Sequence, residues 1–180
     1  MLKITIPGSE FFNDETQEFI YTKDTVLTLE HSLLSLTKWE GKWQVPFMST
    51  TDKTSEQTFD YIRCMVVSPK EFDPQIVYGL SNSQVEEIIA YIESPMTATT
   101  FRETNQPPSR EIVTAELIYY WMIALNIPFE CQKWHLNRLL ALIRVCNIKN
   151  QPDKKMSSNE IYARNRALNE ARKRQYNTRG

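Results

Sequence analysis

Two nearly unbroken apolar segments joined by a short turn constrain this chain more tightly than any other feature. Ile112 to Leu125 ("IVTAELIYYWMIAL") is apolar except for Thr114 and Glu116, the pattern of a helix surrounded on most sides by protein. After "NIPFE", with Pro128 placed to start a helix, the stretch "FECQKWHLNRLLALIRVC" runs from Phe129 to Cys146. At 100° per residue Glu130, Lys133, Asn137 and Arg144 fall in one narrow polar strip, and nearly everything else is apolar. An αα-hairpin is therefore predicted at the centre of the domain.

The second segment also holds the residues with the most suggestive chemistry. Cys131 and His135 are four apart and share a face of a continuous helix. Cys146 lies on the same face, but roughly 16 Å from His135 along the axis, too far for a zinc ion that sits about 2.0–2.3 Å from each ligand. His31 and Cys64 would have to arrive from elsewhere. A cysteine–histidine pair can lower a thiol pKa and make a nucleophile, yet these two sit among Leu139, Leu142 and Cys146 with no evident cleft. A packed cysteine and a satisfied core histidine are the simpler reading.

If the hairpin turns about Ile127, Glu116 lies opposite Arg138 and Tyr119 opposite His135. The expectation is a buried structural ion pair, Glu116 with Arg138, beside a tyrosine–histidine contact, because either charge alone would be costly to bury.

Upstream, the first thirty residues alternate as strands do. "LKITI" alternates Leu2, Ile4 and Ile6, and "EFIYT" and "TVLTLEH" flank Lys23-Asp24 as a predicted hairpin. From Ser32 the period becomes helical: Leu36, Trp39, Trp43 and Phe47 step by three or four, until Pro46 disturbs the last turn. Thr54 with Gln57 forms a capping box ahead of Phe59, Ile62 and Val66. Ser83 with Glu86 opens a further helix carrying Val85, Ile88, Ile89 and Ile92.

"SPMTATTFRETNQPPS", from Ser94 to Ser109, contains three prolines and no sustained stripe, and reads as the longest loop. Long loops often carry function, and "MTATTF" has the β-propensity to pair with a sheet edge. Met96, Thr97, Thr99 and Phe101 are its candidate partner contacts, against the plainer reading of an ordered connector. Trp39 and Trp43 are further candidates, for an apolar groove between helices, although tryptophans at this spacing more often fill a core.

The C-terminus differs in charge from the rest. From Lys149 to Gly180 nine Lys/Arg stand against three Asp/Glu, a net of +6; the whole chain is −1, which leaves −7 for the first 148 residues. Ser157 and Glu160 make a capping box for a last helix with a thin apolar stripe at Ile161, Leu168 and Ala171. Arg164, Arg166, Arg172, Lys173 and Arg174 could meet phosphates. They could equally meet an acidic protein surface or this chain's own acidic body, and the tail lacks the interleaved aromatics expected of specific nucleic-acid recognition.

These readings sum to a mainly α (α+β) fold: an N-terminal β-hairpin or small sheet, then a bundle of about six helices around the αα-hairpin. Residues 1–148 form one domain, β-rich over 1–31 and helical over 32–148, followed by a basic helix or tail over 149–180. Four glycines are too few for a phosphate-cradling loop, and no Rossmann or Walker pattern occurs, so no cofactor and no catalytic or metal-binding set is expected. "MLKITIPGSE" lacks the parts of a signal peptide. Cys64, Cys131 and Cys146 are three and widely spaced, which favours a reducing cytoplasm over a disulfide framework. The longest apolar run, nine residues from Leu117, falls short of the roughly 20 that span a membrane.

Several phrases resemble a known family: "LEHSLLSLTKWEGKW", "MTATTF", "IYYWMIALNIPFECQKWHLNRLLALIRVCN" and "MSSNEIYARNRALNEARKRQYNTRG". Together they cover most of the chain and are similar to small tail-morphogenesis proteins of long-tailed bacteriophages, most of all the tail assembly chaperones. The resemblance implies no catalysis. It implies a helper in the host cytoplasm that coats the tape measure protein, keeps its hydrophobic helices in solution and presents it for polymerisation of the tail tube protein, with self-association as a further expectation. A nucleic-acid-binding or minor structural phage protein acting through the basic tail is the alternative.

Overall fold

In the computed structural model of the chain, residues 1–8, 10–13, 18–21, 23–101, 111–150 and 158–177 are described. Five strands, β1 (Leu2–Ile6), β2 (Glu10–Asn13), β3 (Glu18–Tyr21), β4 (Thr25–Leu29) and β5 (Val66–Ser68), form two antiparallel sheets among them. The larger runs β1-β4-β5, with Ile4 opposite Leu27 and Ile6 opposite Thr25; the smaller is the β2-β3 hairpin. The predicted hairpin around Lys23-Asp24 is thus corrected, since β3 pairs backwards with β2 and β4 pairs with β1. Pairing β4 with β1 buries Ile4, Ile6, Leu27 and Leu29 on one face, which a two-residue turn between β3 and β4 would not do. Asp24 instead closes the sheet end by accepting the Gly8 N–H at 2.8 Å.

Six α-helices follow among the described residues: α1 (Leu33–Trp43), α2 (Ser55–Met65), α3 (Asn82–Glu93), α4 (Ala115–Ala124), α5 (Leu136–Asn150) and α6 (Ser158–Tyr176). The mainly α, sheet-plus-bundle architecture is as the sequence indicated. Helix α1 is capped by Ser32 with Ser35, and α2 by the Thr54–Gln57 box. Helix α3 starts earlier than its Ser83–Glu86 pattern suggested: Ser81 caps it with Gln84, whose amide also donates to Thr5 O at 2.7 Å and ties the helix to β1. Ser157, half of the expected cap on α6, lies outside the described residues.

The largest correction concerns the central pair. Phe129–Lys133 is a short 3-10 turn, Trp134 is extended, and α5 begins only at Leu136. The backbone there serves tertiary pairing instead of a helical ladder: Leu136 N–H donates to His31 O at 2.7 Å, and Ser32 and His135 form an isolated antiparallel bridge. Cys131 and His135 consequently do not share a helix face. Helix α4 is also less enclosed than its sequence suggested. Ala115, Ile118 and Met122 are buried, whereas Tyr120 and Ile123 are more than 60% exposed.

Apolar side chains gather into two cores. One lies between the β1-β4-β5 sheet and α1, α2 and α3, around Leu27, Leu29, Trp39, Met65 and Ile88. The other lies among α1, α4 and α5, around Leu36, Ile118, Met122, Leu136 and Leu139. By internal contacts the chain divides into residues 1–146 and residues 147–180, and α6 is described below by itself. No helix among the described residues is long and apolar enough to cross a membrane.

Candidate interaction surface

Between the two cores lies a cluster of buried polar groups, each with a structural partner. Glu30 receives the Tyr91 hydroxyl at 2.7 Å and lies 3.0 Å from the N-terminal ammonium. Tyr61 and His31 Nδ1 share a 2.5 Å hydrogen bond, and His135 Nε2 donates to Tyr91 O at 3.0 Å. Burial, and secondarily the neighbouring His135, holds the His31 pKa down to about 3; burial also lowers that of His135. Both rings are therefore neutral near pH 7. Glu40 uses one carboxylate oxygen for Phe47 N–H at 2.8 Å and the other for Ala115 N–H at 2.7 Å, fastening α1 to the following turn and to the start of α4. Asp60 collects Lys42 Nζ at 2.5 Å and Trp43 Nε1 at 2.9 Å.

The expected Glu116–Arg138 ion pair is not formed. Both side chains are exposed, and the Arg138 guanidinium lies over the Trp134 ring, 4.4 Å from its centroid. Tyr119 donates to Gln132 at 2.8 Å instead of meeting His135, which stands against Tyr91 and His31. The break at Trp134 shifts the register on which both pairings depended. Cys131 is buried and burial raises its thiol pKa; the Cys64 thiol is raised to about 11 by burial and by nearby Asp60. Among the described residues no three His, Cys, Asp or Glu side chains converge as a metal site would require.

The loop candidates divide. Asn137 donates to Ile92 O at 2.9 Å and to Ser94 O at 2.8 Å, pinning the end of α3 to α5, and Arg144 covers the Phe101 ring at 4.1 Å. Phe101 and Thr97 are half-buried; Met96 and Thr99 are exposed. Trp39 is fully buried and donates to Gln57 O, and the half-buried Trp43 donates to Asp60.

The outer face of α4 is the apolar surface that the sequence did not single out. Tyr120 and Ile123 share it with Glu116 at spacings of three and four, Ile112 stands exposed just before the helix, and exposed Phe129 leans on Tyr119 with ring centroids 6.3 Å apart. Exposures here run from 53% to 64%. A signal was available: a helix apolar on every side has more apolar surface than one core can cover. In α6 every described side chain is exposed, including Arg164, Arg172, Lys173 and Arg174, and Arg166 pairs with Glu170 at 3.5 Å.

Fold and surface together define a mainly α (α+β) chain that offers an apolar helix face. No family model, curated protein or solved structure matches it.

Proposed function

We propose that this chain is a phage tail morphogenesis factor of the tail assembly chaperone kind, acting in the host cytoplasm by non-covalent contact with the tape measure protein and helping tail-tube assembly. The resemblance of most of the sequence to that family motivates the reading. The observation that carries it is the α4 face, where Tyr120 and Ile123 stand exposed, with exposed Ile112 just before the helix and exposed Phe129 in the turn beyond it, while Ala115, Ile118 and Met122 are packed into the second core. Apolar helix faces held rigid in this way recognise other amphipathic helices, and a long, hydrophobic tape measure helix is such a ligand. Met96 and Thr99 are the loop's contribution. The buried histidines, carboxylates and tyrosines are each occupied in holding the fold, which supports association in place of bond-making as the task.

Co-expression with the tape measure protein tests this directly. The expected result is a larger soluble fraction of that protein and its co-purification with this chain; an unchanged soluble fraction with no co-purification refutes the reading.

A further inference from the structure

Helix α6 poses a question that client binding does not answer. It is 19 residues long, every one of its described side chains is exposed, and its two large aliphatic residues, Ile161 and Leu168, are each 45% exposed. A helix polar on all sides has little to gain from packing, so what its surface is made of points to what it meets.

The linear sequence reads as basic residues without interleaved aromatics. The helix alters that reading. Positions 162, 165, 169, 173 and 176 follow one another at three or four residues and fall within a strip about 80° wide. The strip carries Tyr162, Asn165, Asn169, Lys173 and Tyr176, and with Arg166 and Arg172 at its edges these residues line one shallow groove. Glu170, at the groove's rim, is taken up by Arg166 at 3.5 Å. Ile161 and Leu168 lie off the strip, so an apolar partner would not be met here.

Each residue type on the strip has a counterpart in one class of ligand. Tyrosine faces stack on unpaired bases whatever their identity. Asparagine amides both donate and accept, as base edges require. Lysine and arginine meet phosphates. The two tyrosines are separated by about 21 Å along the helix axis at 1.5 Å per residue, room for a strand to lie between them. An acidic polypeptide would be served by the charges alone and would leave both tyrosines and both asparagines without a role. We propose that this face of α6 is a binding site for single-stranded nucleic acid, independent of the α4 surface.

Fluorescence anisotropy of the full chain tests the site, using a labelled, mixed-sequence single strand of about 20 nucleotides as RNA and as DNA, the corresponding duplex, and poly-L-glutamate. Binding of either single strand is expected to weaken with salt. Arg172→Gln with Lys173→Gln should lower the slope of log K against log salt by about 1.4, near 0.7 for each phosphate contact. Tyr162→Ala and Tyr176→Ala should each weaken binding by about 5- to 150-fold, while the Phe variants, which keep the ring, bind nearly as the native chain does. Arg174→Gln removes the same charge as Lys173→Gln but lies off the strip, and should change affinity by less than about twofold.

Circular dichroism of each variant establishes that the helix is retained. Three results would overturn the site: no salt-dependent binding of either single strand, equal losses from Arg174→Gln and Lys173→Gln with both alanine variants unaffected, or duplex or polyglutamate held as tightly as the single strands. Loss of tape measure binding with single-strand binding intact would leave this site standing and remove only the α4 reading.

Discussion

The imidazoles of His31 and His135 stand edge to face with centroids 5.1 Å apart, at the point where the Ser32–His135 bridge joins the end of β4 to the start of α5. Tyr61 and Phe47 face His31, while Tyr91, Glu30 and the N-terminal ammonium surround His135. Both rings are buried, and the neighbouring His135 further disfavours a proton on His31. His135 Nδ1 is buried and has no hydrogen-bond partner among the described residues.

Acid should therefore loosen this seam. In the unfolded chain a histidine titrates near pH 6.5, whereas His31 in the fold titrates at about 3. Between those values the unfolded state binds more protons, so this contribution is fully present above about pH 6.5 and is lost as the pH falls toward 3. From pH 6.5 to pH 5 His31 alone should cost about 1–2 kcal/mol, with His135 adding in the same direction. Urea unfolding followed by tryptophan fluorescence at the two pH values measures this loss, which should be smaller in His31→Phe. Equal losses in both proteins would show that other groups set the acid sensitivity.

Glu40 is expected to be among the costliest single polar positions in the chain. Its two oxygens accept backbone N–H groups from Phe47 and Ala115, and Glu40→Gln keeps only one acceptor, turning an amide NH₂ toward the other N–H. A loss of about 2 kcal/mol follows from leaving a buried donor unmet. Urea denaturation at pH 7 reads it; a change below about 0.5 kcal/mol would mean that the contact is replaceable by water.

Cys64 and Cys131 should react slowly. Raising Cys64 from 9.0 to about 11 leaves roughly one-hundredth of the usual thiolate at pH 7.5, and Cys131 is buried as well. Labelling with a chromogenic disulfide should proceed about 100-fold faster at Cys64 after denaturation than before. Fast native labelling of Cys131 would reopen the nucleophile reading.

Tyr120→Ser combined with Ile123→Ser separates surface from core. Both side chains are largely exposed, so thermal stability should change little, within about 0.5 kcal/mol per site, while any gain in tape measure solubility on co-expression is expected to fall. A pair of variants that unfolds the chain would instead place these side chains in the structural core.

Local signals were legible in the sequence and long-range ones were not. The Leu2–Ile4–Ile6 alternation and the Thr54–Gln57 cap involve neighbours within a few residues, and both appear as read. The pairing of β4 with β1, across some twenty residues, does not announce itself in either strand. The Glu116–Arg138 expectation depended on an unbroken helix, and the break came from His31 O, a partner a hundred residues away. Glu40 did leave a trace: it sits four residues after Leu36, on the apolar stripe, where a carboxylate demands a partner. In α6, spacing alone was enough to set Tyr162 and Tyr176 on one face, once the residues were placed on a helix and not along a line.

Helix α1 supplies Trp39 to the core beneath the sheet and Leu33 and Leu36 to the core beneath α4. A wall common to two rooms cannot be taken down from one side. Loss of either core would strip α1 of half its support, so residues 1–146 should come apart in a single step, with amide protons in Leu33–Trp43 among the last to exchange.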